Sequence, residues 1–220
     1  IWRSLVGSEM CIRDSPMEHG ADIVINSITK FLAGHSDVTL GYVAAREPGL
    51  RTAIYDAAVT WGTTPSPFDC WLAERGLHTF DLRFEKAQAT AAALADALAG
   101  RDGIRQVIYP GRADHPHHNR AGTLFGGQFG NMLSFEIEGG RDEVNSFVIN
   151  AGGIPFAPTL GDVGCTLSHP ASSSHRALTT EGRAALGISE GYFRLSVGIE
   201  PPELVLAELD AALAAVRGES

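Results

Sequence analysis

Lys30 closes the stretch Asp22-Ile-Val-Ile-Asn-Ser-Ile-Thr-Lys30, in which a β-branched apolar run gives way to two hydroxyls and an amine. The run Asp22–Ile25 reads as a short buried strand. Open α/β sheets bind ligands outside the carboxyl ends of their strands, so the residues just after this strand are placed for chemistry. A lysine there, partly withdrawn from water, is a nucleophile toward a carbonyl. Ser27 and Thr29 flank it closely enough to donate hydrogen bonds to an anion such as a phosphate. Most loop lysines are exposed and inert; the Ser-x-Thr-Lys context directly after a strand sets Lys30 apart.

The same spacing supports a rival. Ser27-x-x-Lys30 matches the Ser-x-x-Lys pattern of acyl-transfer enzymes in which lysine activates the serine. There the motif opens a helix; here it ends a strand, and the chain has neither Ser-Asp-Asn nor Lys-Thr-Gly beyond it. Acyl transfer at Ser27 ranks below the carbonyl-trapping lysine. His115-Pro-His117-His118 is the one metal-like cluster, but no further ligand is usefully spaced, so it reads as a polar loop and no metal is expected. Gly126-Gly-Gln-Phe-Gly130 precedes a strand, not a helix, and reads as a turn rather than a phosphate cradle. His35 reads as a structural hydrogen-bonding residue.

The elements that must position these residues change character along the chain. Val38 to Ala45 is a second apolar strand, bounded by Pro48-Gly49. Thr60 to Pro67 is a loop, and Pro67 starts a helix that runs through Arg75 and that Gly76 ends. Asp81 is placed to cap the next helix. On that helix Phe84, Ala87, Ala91, Leu94 and Leu98 form one apolar stripe that stops at Gly100, which suits a connector between domains. Beyond it, Ile104–Ile108 reads as a strand. Met132–Glu138 and Gly191–Ile199 alternate, with Leu133, Phe135, Ile137 and Phe193, Leu195, Val197 facing inward and Arg194 and Ser196 facing the other way. Asp142–Asn150 is a short helix. Pro201-Pro202 opens a last one carrying Leu206, Leu209, Leu213 and Val216 on one side. Helices that cover one sheet face describe a small α+β domain.

Composition narrows the partners. The net charge of -9 without a Lys/Arg cluster argues against nucleic acid or an anionic membrane surface. No apolar run is long enough to span a bilayer, and Asp96 breaks the most apolar helical stretch. Cys11, Cys70 and Cys165 are few, odd in number and far apart, which fits a reducing, cytoplasmic setting. Residues 1–15 have neither helical nor strand periodicity. The composition changes abruptly at Pro16, so this segment resembles a translated adapter read and is expected to be non-native.

Four ordered stretches resemble the Cys/Met-metabolism pyridoxal-phosphate enzymes, a family that includes cystathionine γ-synthase, the cystathionine lyases and methionine γ-lyase. They are Gly20–Asp37, Pro65–Leu77, Leu160-Gly161 with His169-Pro-Ala171, and Arg194-Leu-Ser-Val-Gly-Ile-Glu200. The likeness covers Pro16 to about Val216. It implies an α/β fold: part of a fold-type I large domain over residues 16–99, then a C-terminal α+β small domain over 100–220. It implies pyridoxal 5'-phosphate as cofactor, held by Lys30 as a Schiff base, with Ser27 and Thr29 on its phosphate. Arg194 would grip the substrate carboxylate, its planar fork matching two oxygens. Thr159, where the family usually has serine, would lie beside that carboxylate. Gly164 falls where the lyases and synthases commonly have glutamate, and Asp162 is similar to the methionine γ-lyase and sulfhydrylase branches. The implied activity is β/γ-elimination or γ-replacement on a small sulfur or homoserine-derived amino acid, in a dimer-based tetramer. The family's N-terminal part has no counterpart here, so the chain is expected to be a fragment of a longer enzyme and to bind little by itself.

Overall fold

A computed structural model describes residues 16–18 and 20–218; the expectation for residues 1–15 lies outside them. The chain divides into two compact units, one up to Leu82 and one from Arg83 onward.

In the first unit β1 (Ile23–Ser27) and β2 (Gly41–Ala45) pair antiparallel, with Ile23 opposite Ala45 and Ser27 opposite Gly41. The first strand runs two residues beyond Ile25 and so includes Asn26 and Ser27. The second begins at Gly41 rather than Val38, because the backbone of Leu40 is committed elsewhere: its carbonyl accepts from Ile28 N and Thr29 N. Next comes a helix that the sequence did not suggest, α1 (Pro48–Trp61). Pro48 sits in its first turn, Glu47 accepts from Leu50 N at 2.9 Å, and Gly62 caps its end. It buries none of its side chains. The helix α2 (Pro67–Leu77) starts on Ser66, whose hydroxyl accepts from Asp69 N at 3.1 Å. It does not stop before Gly76 as expected. Gly76 lies inside the helix, where glycine costs about 1 kcal/mol against alanine, and the reason is a close packing contact with the turn at Ala33.

The helix α3 (Phe80–Leu98) begins one residue before Asp81, which therefore lies in its first turn and not at its cap. The expected stripe is buried throughout, Phe84 at 2% exposure and Ala87, Ala91, Leu94 and Leu98 at 0%. Ala91, Leu94, Ala95 and Leu98 belong to the core of the second unit. The boundary between the two compact units falls near the start of α3.

The second unit continues with β3 (Ile104–Ile108), α4 (His118–Leu124), β4 (Met132–Ile137), α5 (Arg141–Asn150), β5 (Thr166–Ser168), α6 (Thr180–Ala185), β6 (Tyr192–Ser196) and α7 (Pro202–Arg217). The four strands form one antiparallel sheet in the order β3-β4-β6-β5. Alternation sets its faces. Leu133, Phe135, Ile137, Leu167, Phe193 and Leu195 join one core with side chains from α3, α5 and α7. At its centre Phe193 stacks on Phe135 at 5.6 Å and tilts against Phe147 at 4.9 Å. Helices thus cover one face, as the sequence indicated. The opposite face carries one polar row and one mixed row. Arg194 stands between Ser134 and Ser168, and Ser196 stands between Met132 and Thr166.

Candidate active site

Lys30 lies in a tight turn directly after β1. Ala33 N donates to Ile28 O and Gly34 N to Lys30 O, each at 2.9 Å, so the turn closes around the lysine. Phe31, buried, meets Phe80 edge-on at 6.3 Å. The hydroxyl of Thr29 donates to Leu40 O at 3.2 Å and accepts from Leu40 N at 2.9 Å. A hydroxyl has a single proton, so in this arrangement Thr29 has none left to donate to an anion. Ser27 is different: among the described residues no partner engages its hydroxyl. A cavity of about 400 Å³ is lined by Ser27, Thr29, Thr39 and Gly41 together with Ile25, Asn26 and Leu40. Thr39, a third hydroxyl on this cavity, was missed in the sequence because it lies outside the Ser-x-Thr-Lys spacing. Lys30 is half-buried and is not among the lining residues. The chain holds two lysines, Lys30 and Lys86. His35 Nδ1 is hydrogen-bonded to Ala33 O at 2.6 Å, the structural role expected of it.

The remaining sequence-identified residues, Thr159 and Arg194, belong to the second unit. Arg194 is half-buried on β6, and among the described residues no group hydrogen-bonds its buried Nε. A buried donor left without an acceptor costs about 1–3 kcal/mol, which marks this guanidinium as one an anion would satisfy. The Thr159–Gly164 segment lies on the same sheet face. Gly161 N donates to the buried Ser196 Oγ at 3.0 Å, and Thr166 Oγ1 donates to Thr159 O at 3.4 Å. Thr159 itself is exposed.

Three residues that hold this segment were not found by sequence reasoning. Glu200 accepts from Cys165 N at 2.6 Å and from Cys165 Sγ at 3.2 Å, and Gly198 N donates to the same sulfur at 3.2 Å. A Cβ on Gly198 would stand 2.3 Å from Val163 O, so only glycine fits there. Arg83, 5% exposed, faces the charge of Asp162; burial draws its guanidinium below the ordinary range and Asp162 opposes that. These contacts join positions up to about eighty residues apart in the chain, which no local spacing reveals. Asp162 also accepts from Gly164 N at 2.9 Å.

The histidine cluster is a loop running into α4. His117 N donates to His115 Nδ1, His118 Nδ1 is bonded to Pro110 O, and no group among the described residues could hold a metal ion. No helix among them is long and apolar enough to cross a membrane. Ser27 lies within a strand, not at the opening of a helix, so the acyl-transfer alternative lacks its structural context.

Comparison with known proteins agrees with this picture. The family model for Cys/Met metabolism PLP-dependent enzymes matches residues 10–214. A cystathionine gamma-lyase of Dictyostelium discoideum is 38% identical over 90% of this chain and 51% of its own length. A cystathionine beta-lyase of Bacillus subtilis (strain 168) is 40% identical over 90% and 50% respectively. The crystal structure of cystathionine gamma synthase from Xanthomonas oryzae pv. oryzae, in complex with aminoacrylate and cysteine, superimposes with a TM-score of 0.85 at 43% identity, covering 93% of this chain and 53% of that one. The chain spans about half the length of the relatives it matches. Its α/β architecture, its lysine-bearing turn and a match along nearly its whole length together place the chain in the Cys/Met metabolism PLP-dependent enzyme family.

Proposed function

We propose that the protein is a pyridoxal-phosphate-dependent lyase or transferase of sulfur amino-acid (transsulfuration) metabolism. It acts by β/γ-elimination or γ-replacement on sulfur or homoserine-derived amino acids. The observation that carries this reading is the family match over residues 10–214, within which Lys30 occupies the turn after β1. The names of its relatives, lyases and synthases of cystathionine, support the substrate class.

The residues present fit the cofactor. The unengaged hydroxyl of Ser27 and that of Thr39 open on one cavity, and Lys30 has no ion pair among the described residues. When bound, pyridoxal phosphate supplies an electron sink that stabilises negative charge on a substrate carbon. Lys30 holds the cofactor through Nζ. The same Nζ would remove the proton from the substrate Cα and carry protons between neighbouring carbons. Ser27 donates to the phosphate. Thr29, its own proton committed to Leu40 O, contributes by fixing the turn. Arg194 binds the α-carboxylate bidentately and gains through it a partner for Nε. Thr159 borders that carboxylate, and its extra methyl narrows the pocket relative to serine. The full protein works in the cytoplasm as a dimer-based tetramer. Exposed Tyr55, Val59, Trp61, Phe68 and Trp71, and the free thiols of Cys70 and Cys165 among the described residues, support this.

The test uses the 220-residue chain. Incubation with pyridoxal 5'-phosphate, borohydride reduction and peptide mapping should place the adduct on Lys30, and Lys30→Ala should abolish it. An adduct on Lys86 alone would overturn the assignment.

A further inference from the structure

Gly76 has ordinary helical φ and lies one residue before the end of α2. Conformational freedom therefore does not explain a glycine there. Close approach does: a Cβ at this position would stand 2.4 Å from Ala33 O, 2.8 Å from Ala33 Cα and 3.0 Å from Ala33 C. These are backbone atoms, which cannot swing aside as a flexible side chain would. Gly76 and Ala33 are both buried.

The segment that Gly76 touches is the turn that carries Lys30. Ala33 N closes the turn on Ile28 O, and Gly34 N closes it on Lys30 O. Thr29, just before the lysine, is strapped to Leu40. Lys30 is thus anchored on both sides, by Thr29 on Leu40 before it and by Ala33 against Gly76, with Phe31 against Phe80, after it. We propose that Gly76 is a positioning residue for Lys30: its missing side chain lets α2 seat directly on the Ala33 backbone, and that seat sets where the lysine amine is carried. A side chain there lifts the turn off the helix and carries Nζ with it. The inference rests on the reading of Lys30 as the residue that holds the cofactor.

The experiment compares the full chain with Gly76→Ala and with Glu74→Gly. The latter weakens α2 at an exposed position without filling the contact. The first readout is amide hydrogen exchange without cofactor. Ala33 and Gly34 should exchange roughly tenfold or more faster in Gly76→Ala and at wild-type rate in Glu74→Gly. The second readout is the partition of the pyridoxal 5'-phosphate adduct between Lys30 and Lys86 at one fixed pH. Lys30 Nζ adds to the aldehyde carbon and water leaves; borohydride then delivers hydride to the C=N bond and fixes the product for mapping. The share of adduct at Lys30 relative to Lys86 should fall severalfold in Gly76→Ala only. Wild-type exchange at Ala33 and Gly34, together with an unmoved partition between Lys30 and Lys86, would overturn the proposal. A wild-type chain that never condenses at Lys30 would sink the cofactor reading instead; exchange at Ala33 and Gly34 then decides the seat alone. Should Gly76→Ala not fold, the wild type is decisive. Ala33 and Gly34 must open with the same urea dependence as the amides of Gly76 and Leu77, and independent opening would overturn the seat.

Discussion

The backbone N–H of Gly161 donates to the hydroxyl of Ser196 at 3.0 Å, in a position where Ser196 is 1% exposed. One buried hydroxyl thereby fastens the Thr159–Gly164 segment to the sheet face that carries Arg194. Ser196→Ala leaves the Gly161 N–H buried without an acceptor, at a cost of about 1–3 kcal/mol. Urea unfolding should show the loss, and amide exchange at Gly161 should accelerate more than exchange along β6. Protection at Gly161 equal to wild type would remove the segment's assigned fastening.

Thr29 tests the other anchor. Thr29→Val keeps the shape of the side chain and removes both hydrogen bonds to Leu40. The stability loss should be about 1–3 kcal/mol, while Thr29→Ser should stay near wild type. Equal loss in both variants would mean that the methyl, not the hydroxyl, holds the turn.

Cys165 and Cys70 should behave oppositely toward alkylation. Burial pushes the Cys165 thiol up to about 12, and the charge of Glu200 adds to this although the Gly198 N–H works against it. The thiolate is the reactive form, so iodoacetamide at about pH 8 should modify exposed Cys70 and spare Cys165 until the chain is unfolded. Mass mapping of the native protein checks this; rapid labelling of Cys165 contradicts the burial.

How much of this was legible in the sequence depends on the range of the interaction. The α3 stripe and the alternation of β4 and β6 place the core correctly, because period and burial are tied within one element. Ser27 and Lys30 stand out for the same reason, their chemistry being concentrated in four residues. α1 escaped because it buries no face that could impose a stripe. β5 escaped because three residues buried on both faces show no alternation. Gly76 carried a true signal with the wrong meaning: a glycine near a helix end reads as a stop, and here it is a contact with a turn more than forty residues earlier. Glu200 and Arg83 are ordinary charged residues until folding brings Cys165 and Asp162 to them.

His169 gives the protein an acid-sensitive element. The ring is 2% exposed, tilted against Phe193 at 5.2 Å, and bonded through Nε2 to Glu190 O at 2.7 Å and through Nδ1 to Ser172 Oγ at 2.9 Å. Burial holds its pKa below the ordinary 6.5, outweighing the favourable bond to Glu190. The folded state therefore binds fewer protons than the unfolded chain between the two values. Stability from this group is complete above about 6.5 and is lost as the pH falls from there through the folded value. Urea midpoints should drop as the pH falls below about 6.5, and His169→Gln should flatten that part of the curve. An unchanged slope in the variant would assign the acid sensitivity to other groups.

A helix of fourteen residues is marginal in water unless packing supports it, and α1 draws on little beyond the Glu47 cap, Pro48 and Gly62. Among the described residues it is the segment that should open to a protease first. Limited digestion should nick between Leu50 and Trp61 while α3, sealed along its Ala91–Leu98 stripe, survives as part of a resistant C-terminal product.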